Sequence, residues 1–175
     1  MRDDPLTHPE LAIRRLYGYV AYRIGSGPDA EDVVSETIER ALRYRGSFDE
    51  RKGPASAWLA AIASHVIADR ARAWKAEQAI EPEVDAAVED FSNRAVRRLD
   101  LHECIASLDD RARELLALRY GADLTAHQIA QLLGQRTNTI EVALHRALSQ
   151  LRELLGGPHA SERRDPTRAV LRSDR

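Results

Sequence analysis

Hydrophobic residues recur at intervals of three and four along most of this chain, which is the spacing of one face of an amphipathic α-helix. The clearest segment, 124–155, predicts a short helix, a tight turn and a longer helix. Thr125 and Gln128 fit a capping box at the start of the short helix, and Gly134 stands where a helix ends. The apolar stripe of the longer helix consists of Ile140, Leu144, Leu148, Leu151 and Leu155. Such a helix-turn-helix usually lays its second helix in the DNA major groove.

Three further helices are predicted between about Glu10 and Lys75. Glycines at positions 25 and 27 end the first helix, Pro28 suits the first turn of the second, and the turn-rich segment 46–54 precedes the third. The predicted core positions are Ile13, Leu16, Tyr17, Val20 and Ile24, then Val33, Val34, Thr37, Ile38, Ala41 and Leu42, and finally Trp58, Leu59, Ile62, Val66 and Ile67. No convincing stretch alternates with the period of two that is typical of a strand, so the predicted fold class is all-α.

The pattern divides the chain into two small helical domains. An acidic segment with few large apolar residues, 78–100, is predicted to be a flexible linker between a domain at 1–77 and a helix-turn-helix domain at 101–155. The polar tail, 156–175, is predicted to be disordered. A linker of this length reaches roughly 70 Å when fully extended. That reach matches about twenty base pairs at about 3.4 Å each, so both domains are able to touch one duplex.

The charge balance argues against an autonomous DNA-binding protein. The formal net charge is −2 and the isoelectric point is about 6.3, whereas affinity for DNA without a partner comes mainly from Lys and Arg neutralising phosphates. Cys104 is the single cysteine, which excludes an internal disulfide and a cysteine-rich zinc site, and its apolar surroundings predict a buried thiol. With no signal peptide or long apolar run, the chain is expected to be soluble, cytoplasmic and not inserted in a membrane.

The sequence carries no recognisable catalytic or cofactor motif. The six histidines are scattered without metal-binding spacing, and neither a glycine-rich phosphate loop nor a nucleophile elbow is present. We therefore expect no enzymatic activity, no catalytic residue, no metal site and no cofactor.

Several segments, taken in this order, resemble an extracytoplasmic-function sigma factor, a promoter-specificity subunit of bacterial RNA polymerase. They are AEDVVSETIERAL (30–42), FD (48–49), AWLAAIASHVIADRAR (57–72), LDDRARELLALRY (108–120), LTAHQIAQLLG (124–134) and TIEVALHRALSQLREL (139–154). The resemblance implies a three-to-four-helix domain like sigma region 2, which binds core polymerase and the minus-ten element. It further implies a helix-turn-helix domain like sigma region 4, which binds the minus-thirty-five element.

In this family the second N-terminal helix docks on a coiled coil of the polymerase β′ clamp. The corresponding helix here has an acidic side, which suits a basic partner surface. From the spacing alone, an ordinary charged outer face is the better explanation, and the resemblance favours docking. The resemblance assigns core-polymerase binding to Asp29, Asp32, Ser35, Glu36, Glu39 and Arg40. Relatives often have glutamine where this chain has Ser35.

Capture of the single-stranded minus-ten element requires aromatic surfaces and nearby cations. The resemblance assigns this role to Phe48, Arg51, Lys52, Trp58, His65, Arg70, Arg72 and Lys75. Trp58 also suits simple core packing. His65 stands where relatives commonly have asparagine, so it either alters base preference or is a partly buried helix residue.

The minus-thirty-five candidates are Arg136, Asn138, Thr139, Glu141, His145 and Arg146. The run Glu141-Val142-Ala143 departs from the basic and small polar residues that relatives often carry. Glu141 is able to accept a hydrogen bond from a cytosine amino group, or to close a second capping box with Asn138.

The resemblance implies three partners: core RNA polymerase, through its β′ clamp and β flap, promoter DNA, and an anti-sigma factor. Two other functions remain open at this point. A self-sufficient helix-turn-helix regulator explains the second domain but gives the first no purpose. A polymerase-associated interaction protein that has lost promoter reading is suggested by the Glu141-Val142-Ala143 run.

Overall fold

The structure, a computed structural model, describes residues 4–78 and 99–155, and every regular element within these ranges is helical. The all-α prediction is therefore confirmed. Most of the predicted linker and the whole predicted tail lie outside the described residues. The helices are α1 (Pro9–Ile24), α2 (Pro28–Tyr44), α3 (Ala55–Gln78), α4 (Leu99–Ala106), α5 (Asp110–Leu116), α6 (Ala126–Leu133) and α7 (Thr137–Leu155). In these two ranges no helix is long and apolar enough to cross a bilayer.

Helices α1 to α3 pack together into the N-terminal domain. Helix α2 begins at Pro28, because proline suits a first turn whose N–H has no helical partner. Its buried face includes Val33, Val34, Thr37 and Ala41 as predicted, and the Thr37 hydroxyl donates a hydrogen bond to the Val33 carbonyl at 2.7 Å. Leu42 was predicted in the same stripe but is 50% exposed. Two 3₁₀ turns, 45–47 and 50–52, then join α2 to α3.

The core stripe predicted for α1 is partly wrong. Leu16 and Val20 are buried as expected, but Ile13 and Ile24 are 44% and 42% exposed. Tyr19, which was not predicted, is completely buried instead. The buried face is rotated because α1 packs against the C-terminal domain as well as against α2 and α3.

The C-terminal domain contains the predicted helix-turn-helix. Thr125 and Gln128 form the capping box, with the Thr125 hydroxyl accepting from the Gln128 N–H and the Gln128 side chain accepting from the Thr125 N–H. Gly134 ends α6 in the left-handed conformation at φ 63°. The second capping box was wrong: α7 already begins at Thr137, so Asn138 lies inside its first turn rather than at the cap.

A π-helical turn, Ala117–Gly121, follows α5 and connects the two domains into one continuous core. This turn lies directly against α1. Cys104 of α4 is half-buried against the same core, which is less enclosed than the buried thiol expected from sequence.

Candidate nucleic-acid and polymerase interfaces

Helix α7 presents one polar face to solvent. Ile140, Leu144 and Ala147 anchor its opposite side in the core, and Ile140 is fully buried. This packing fixes the outward direction of the residues between its buried positions. The predicted minus-thirty-five residues are all exposed and lie on α7 or immediately before it: Arg136, Asn138, Thr139, Glu141, His145 and Arg146. The structure therefore brings this candidate set together on one surface.

Two features of this face were not apparent from sequence. Because Asn138 is not the helix cap, the Glu141 side chain is not held in a capping box and stands in solvent. Val142, beside it, is an apolar side chain that is 45% exposed. In the major groove, the thymine methyl group is the apolar surface that such a residue contacts. The sequence feature that indicates this exposure is the position of Val142 between exposed residues of the helical repeat.

The segment between α2 and α3 forms a structured loop with an aromatic pair. The rings of Phe48 and Trp58 lie 5.6 Å apart between centroids and are tilted by 58°. Trp58 is half-buried and packs on the core, so its side chain has a structural role. Asp49 caps the second 3₁₀ turn and accepts two hydrogen bonds from the Arg51 guanidinium at 2.9 Å. Those bonds hold the pKa of Asp49 below its usual range.

His65 and Lys52 both reach solvent near this loop. His65 is exposed, so the interpretation of it as a partly buried helix residue was wrong. Its Nδ1 lies 2.7 Å from the Ala61 carbonyl oxygen. This contact fixes the ring, because a nitrogen facing a carbonyl must donate, and it leaves Nε2 as the ring atom for another partner.

Arg70 joins the two sets of candidate residues that were assigned to different partners. Its Nε donates to Glu36 at 3.1 Å, and its Nη1 lies 3.8 Å from an Asp32 oxygen. Glu36 also accepts from Arg40 at 2.7 Å. The cation on α3 that was assigned to the minus-ten element is thus paired with the acidic side of α2.

The same network continues along α3. Arg40 donates to Asp69 at 2.9 Å and Arg72 to Asp69 at 2.5 Å. The bond from Arg40 and then that from Arg72 hold the pKa of Asp69 below its usual range. Each pair is partly exposed, so each contributes little stability by itself. The ion pairs matter because they hold the long arginine side chains on one surface.

The other residues that were predicted to bind core polymerase lie on the outer side of α2. Asp29 and Ser35 are exposed, and Glu39 is paired with Arg43 across one helical turn at 2.7 Å. Lys75 is exposed near the end of α3.

Trp74 is a further exposed aromatic residue that sequence reasoning missed. It is 63% exposed and stands one turn beyond Arg70 on α3. An aromatic ring beside cations is the arrangement on which single-stranded bases stack. The sequence feature that indicates its exposure is that this tryptophan lies in a charged stretch, ARAWKAEQ, and not within the apolar stripe.

The fold and these surfaces define a two-domain helical protein equipped for nucleic-acid contact, and sequence comparison gives its family. The Sigma-70 region 2 family matches residues 11–77, and the Sigma-70, region 4 family matches residues 98–151. The chain is 33% identical over 146 residues to the ECF RNA polymerase sigma factor SigD of Mycobacterium tuberculosis, covering 77% of this chain and 69% of SigD. It is 30% identical over 147 residues to the ECF RNA polymerase sigma factor BldN of Streptomyces coelicolor, covering 80% of this chain and 56% of BldN.

A solved structure has the same fold. The sigma factor RpoE from Bartonella quintana, in complex with the anti-sigma factor NepR, superposes with a TM-score of 0.67 at 22% identity, covering 85% of this chain and 94% of RpoE. The chain belongs to the extracytoplasmic-function sigma factors. Members of this class are transcription regulators that bind RNA polymerase and direct it to promoters.

Proposed function

We propose that this chain binds core RNA polymerase through the acidic side of α2 and directs it to promoters through two separate DNA-contacting surfaces. The outward face of α7, with its six exposed candidate residues, is the observation that supports promoter reading most directly. Polar and charged side chains gathered on one exposed helix face suit hydrogen bonding to base edges and phosphates. Polymerase supplies the RNA synthesis.

Each of the two surfaces binds a different promoter element. The loop carrying Phe48, with the cations and Trp74 along α3, binds the melted minus-ten element. Helix α7 reads base edges of the minus-thirty-five element in the major groove. The formal net charge of −2 gives the chain little non-specific affinity for DNA, so polymerase holds it there. We place this activity in the cytoplasm, where polymerase and promoter DNA are present.

An anti-sigma factor is the third partner. RpoE was solved bound to the anti-sigma factor NepR, and this chain shares its fold over most of its length. A protein that covers the acidic side of α2 prevents core binding without any change to the DNA-contacting residues.

Reconstituted transcription tests the proposed function directly. Core polymerase plus the purified chain is expected to give run-off transcripts from promoters mapped by overexpressing it, and neither component alone gives them. Tight, specific duplex binding by the chain alone, without polymerase, supports a self-sufficient regulator instead. Polymerase binding with no promoter-directed transcript supports an interaction protein.

Arg70 provides a test of the minus-ten surface. Arg70→Gln is expected to weaken binding of the polymerase complex to melted minus-ten DNA several-fold. One lost phosphate contact on single-stranded DNA lowers the slope of log affinity against log salt by about 0.7. The affinity of Arg70→Gln for core polymerase is expected to stay near that of the wild type, because Glu36 keeps its hydrogen bond to Arg40.

The matched control is Arg43→Gln, which removes an equal charge from a residue whose ion pair within residues 4–78 and 99–155 is with Glu39. Filter binding across a salt series measures both slopes. An Arg70→Gln slope equal to that of Arg43→Gln assigns Arg70 to the α2 network and not to DNA.

A further inference from the structure

We propose that Val142 contacts the 5-methyl group of a pyrimidine in the minus-thirty-five element, so that thymine is preferred to uracil and 5-methylcytosine to cytosine at one position. This inference rests on the proposed function, because it states what the centre of the outward face of α7 recognises. Val142 was not among the residues that were predicted to contact DNA.

Val142 lies at the centre of the outward face of α7. Successive residues of an α-helix are about 100° apart around the helix axis. Val142 stands two positions from Ile140 and two from Leu144, so it is about 160° away from each of them. Both of these side chains are buried in the core. Val142 therefore points almost directly away from the core, and the residues one turn before and after it, Asn138 and Arg146, are exposed as well.

The apolar character of this position is confined to one residue. Within α7, all of which the structure describes, Val142 is the one large apolar side chain that is exposed before the last turn, which holds Leu154 and Leu155. Ala143, next in the chain, packs against the core. A recognition helix contacts base edges with its N-terminal residues, and Val142 lies in the second turn of a helix that begins at Thr137.

The chemistry of the major groove gives this side chain an apolar partner. Base edges there present hydrogen-bond donors and acceptors, together with the methyl group at C5 of thymine. A cytosine that is methylated at C5 carries a methyl group at the same place on the ring. Because the side chain of Val142 neither donates nor accepts a hydrogen bond, it gains free energy on a base edge by burying such a methyl group.

Glu141 narrows the choice of base beside Val142. A glutamate side chain at neutral pH accepts hydrogen bonds and does not donate them, whereas guanine presents only acceptors, N7 and O6, in the major groove. Cytosine presents an amino donor at N4. The pair Glu141 and Val142 therefore disfavours guanine and suits an edge that carries an amino group, a methyl group or both. 5-Methylcytosine carries the two groups on one base.

Base analogues that differ by one methyl group test this inference. The full chain, with core polymerase, is bound to duplexes that carry the minus-thirty-five element of a promoter mapped by overexpression. On both strands, each thymine in turn is replaced by deoxyuridine, which lacks the methyl group, and each cytosine by 5-methyldeoxycytidine, which gains one. Fluorescence anisotropy measures the affinity for each duplex, and run-off transcription is measured on the same templates.

At one pyrimidine of the element, the wild-type chain is expected to bind the methylated base about fourfold more tightly than its methyl-free counterpart. This ratio corresponds to about 0.8 kcal/mol, the contribution of one buried methyl group. Val142→Ser removes both methyl groups of the side chain and is expected to bring the ratio to about one. Val142→Thr keeps one of them and is expected to retain part of the preference. The matched control is Leu154→Ser, at a residue of the same helix that is equally exposed at 45%, and it is expected to keep the full ratio.

Four duplexes then separate the two bases that carry the group, with thymine, uracil, cytosine or 5-methylcytosine at the position so found. A gain on methylation of cytosine as large as that from uracil to thymine supports a contact with the methyl group itself. A gain for thymine alone restricts Val142 to thymine and overturns its response to methylated cytosine.

A wild-type ratio near one at every pyrimidine, or a ratio that Val142→Ser leaves unchanged, overturns the contact. Both chains are compared on the same duplexes, so any effect of the base analogue on DNA shape cancels. Run-off transcription without a methyl preference overturns this inference and leaves the proposed function standing. A methyl preference in binding without promoter-directed transcripts overturns the proposed function and leaves the contact supported. A polymerase complex that binds none of the duplexes overturns both.

Discussion

Reversing two charges on α2, in the double variant Asp32→Arg with Glu36→Arg, is expected to reduce affinity for core polymerase by at least about a hundredfold. Like charges brought together across an interface cost several kcal/mol, and about 2.7 kcal/mol already corresponds to a hundredfold change. Asp32 is exposed and has only a long ion pair with Arg70, at 3.8 Å, whereas Glu36 lies between Arg40 and Arg70. The reversal therefore replaces a balanced surface with a cluster of arginines facing a basic clamp.

The controls separate docking from folding and from net charge. Glu10→Arg with Glu153→Arg adds the same charge at exposed positions away from α2. Thermal unfolding reports whether the loss of Glu36 from its network destabilises the domain, and Asp32→Arg alone leaves the bond between Glu36 and Arg40 in place. Fluorescence anisotropy with core polymerase measures the affinity. An affinity within about threefold of wild type, below about 0.7 kcal/mol, moves the docking face away from this side of α2.

The features that sequence predicted well depend on neighbours within a few residues. The capping box of Thr125 and Gln128 is a contact over three positions, and the stop at Gly134 depends on one backbone conformation. The core face of α2 follows from its own helical period, except at Leu42, which is 50% exposed. Local features of this kind can be predicted from sequence because they do not depend on contacts with distant residues.

The features that sequence missed depend on residues far apart in the chain. The Tyr19 hydroxyl donates to Glu114, 95 residues later, where α1 packs against the C-terminal domain, and α1 therefore buries a different face from the one that its apolar pattern indicates. The ion pair of Arg70 with Glu36 on α2, 34 residues earlier, was also missed, while the assignment of Arg70 to minus-ten DNA stays a prediction. The predicted cap at Asn138 was wrong for a more local reason: the helix begins at Thr137, two residues earlier than a cap at Asn138 requires.

Replacing Arg146 on the recognition face is expected to reduce transcription from promoters that need the minus-thirty-five element by about tenfold. A good base contact from arginine contributes about 1–3 kcal/mol. Arg146 is exposed on α7, on the same surface as Asn138 and Glu141, while Ala147 beside it is buried. Arg146→Ala leaves the helix intact, because alanine has the highest helix propensity.

Comparison of Arg146→Ala with Arg146→Lys decides which kind of contact is lost. Lysine keeps the charge but not the planar fork that binds guanine through two hydrogen bonds. If Arg146 reads a base, lysine is expected to behave like alanine and to relax the preference at one base pair in promoter libraries. If Arg146 holds a phosphate, lysine is expected to restore most of the activity for every sequence. Arg152→Ala, on an exposed position near the end of α7, is the control and is expected to act like wild type. Unchanged promoter use by Arg146→Ala, with core binding intact, removes this residue from the promoter-reading face and leaves recognition to its neighbours.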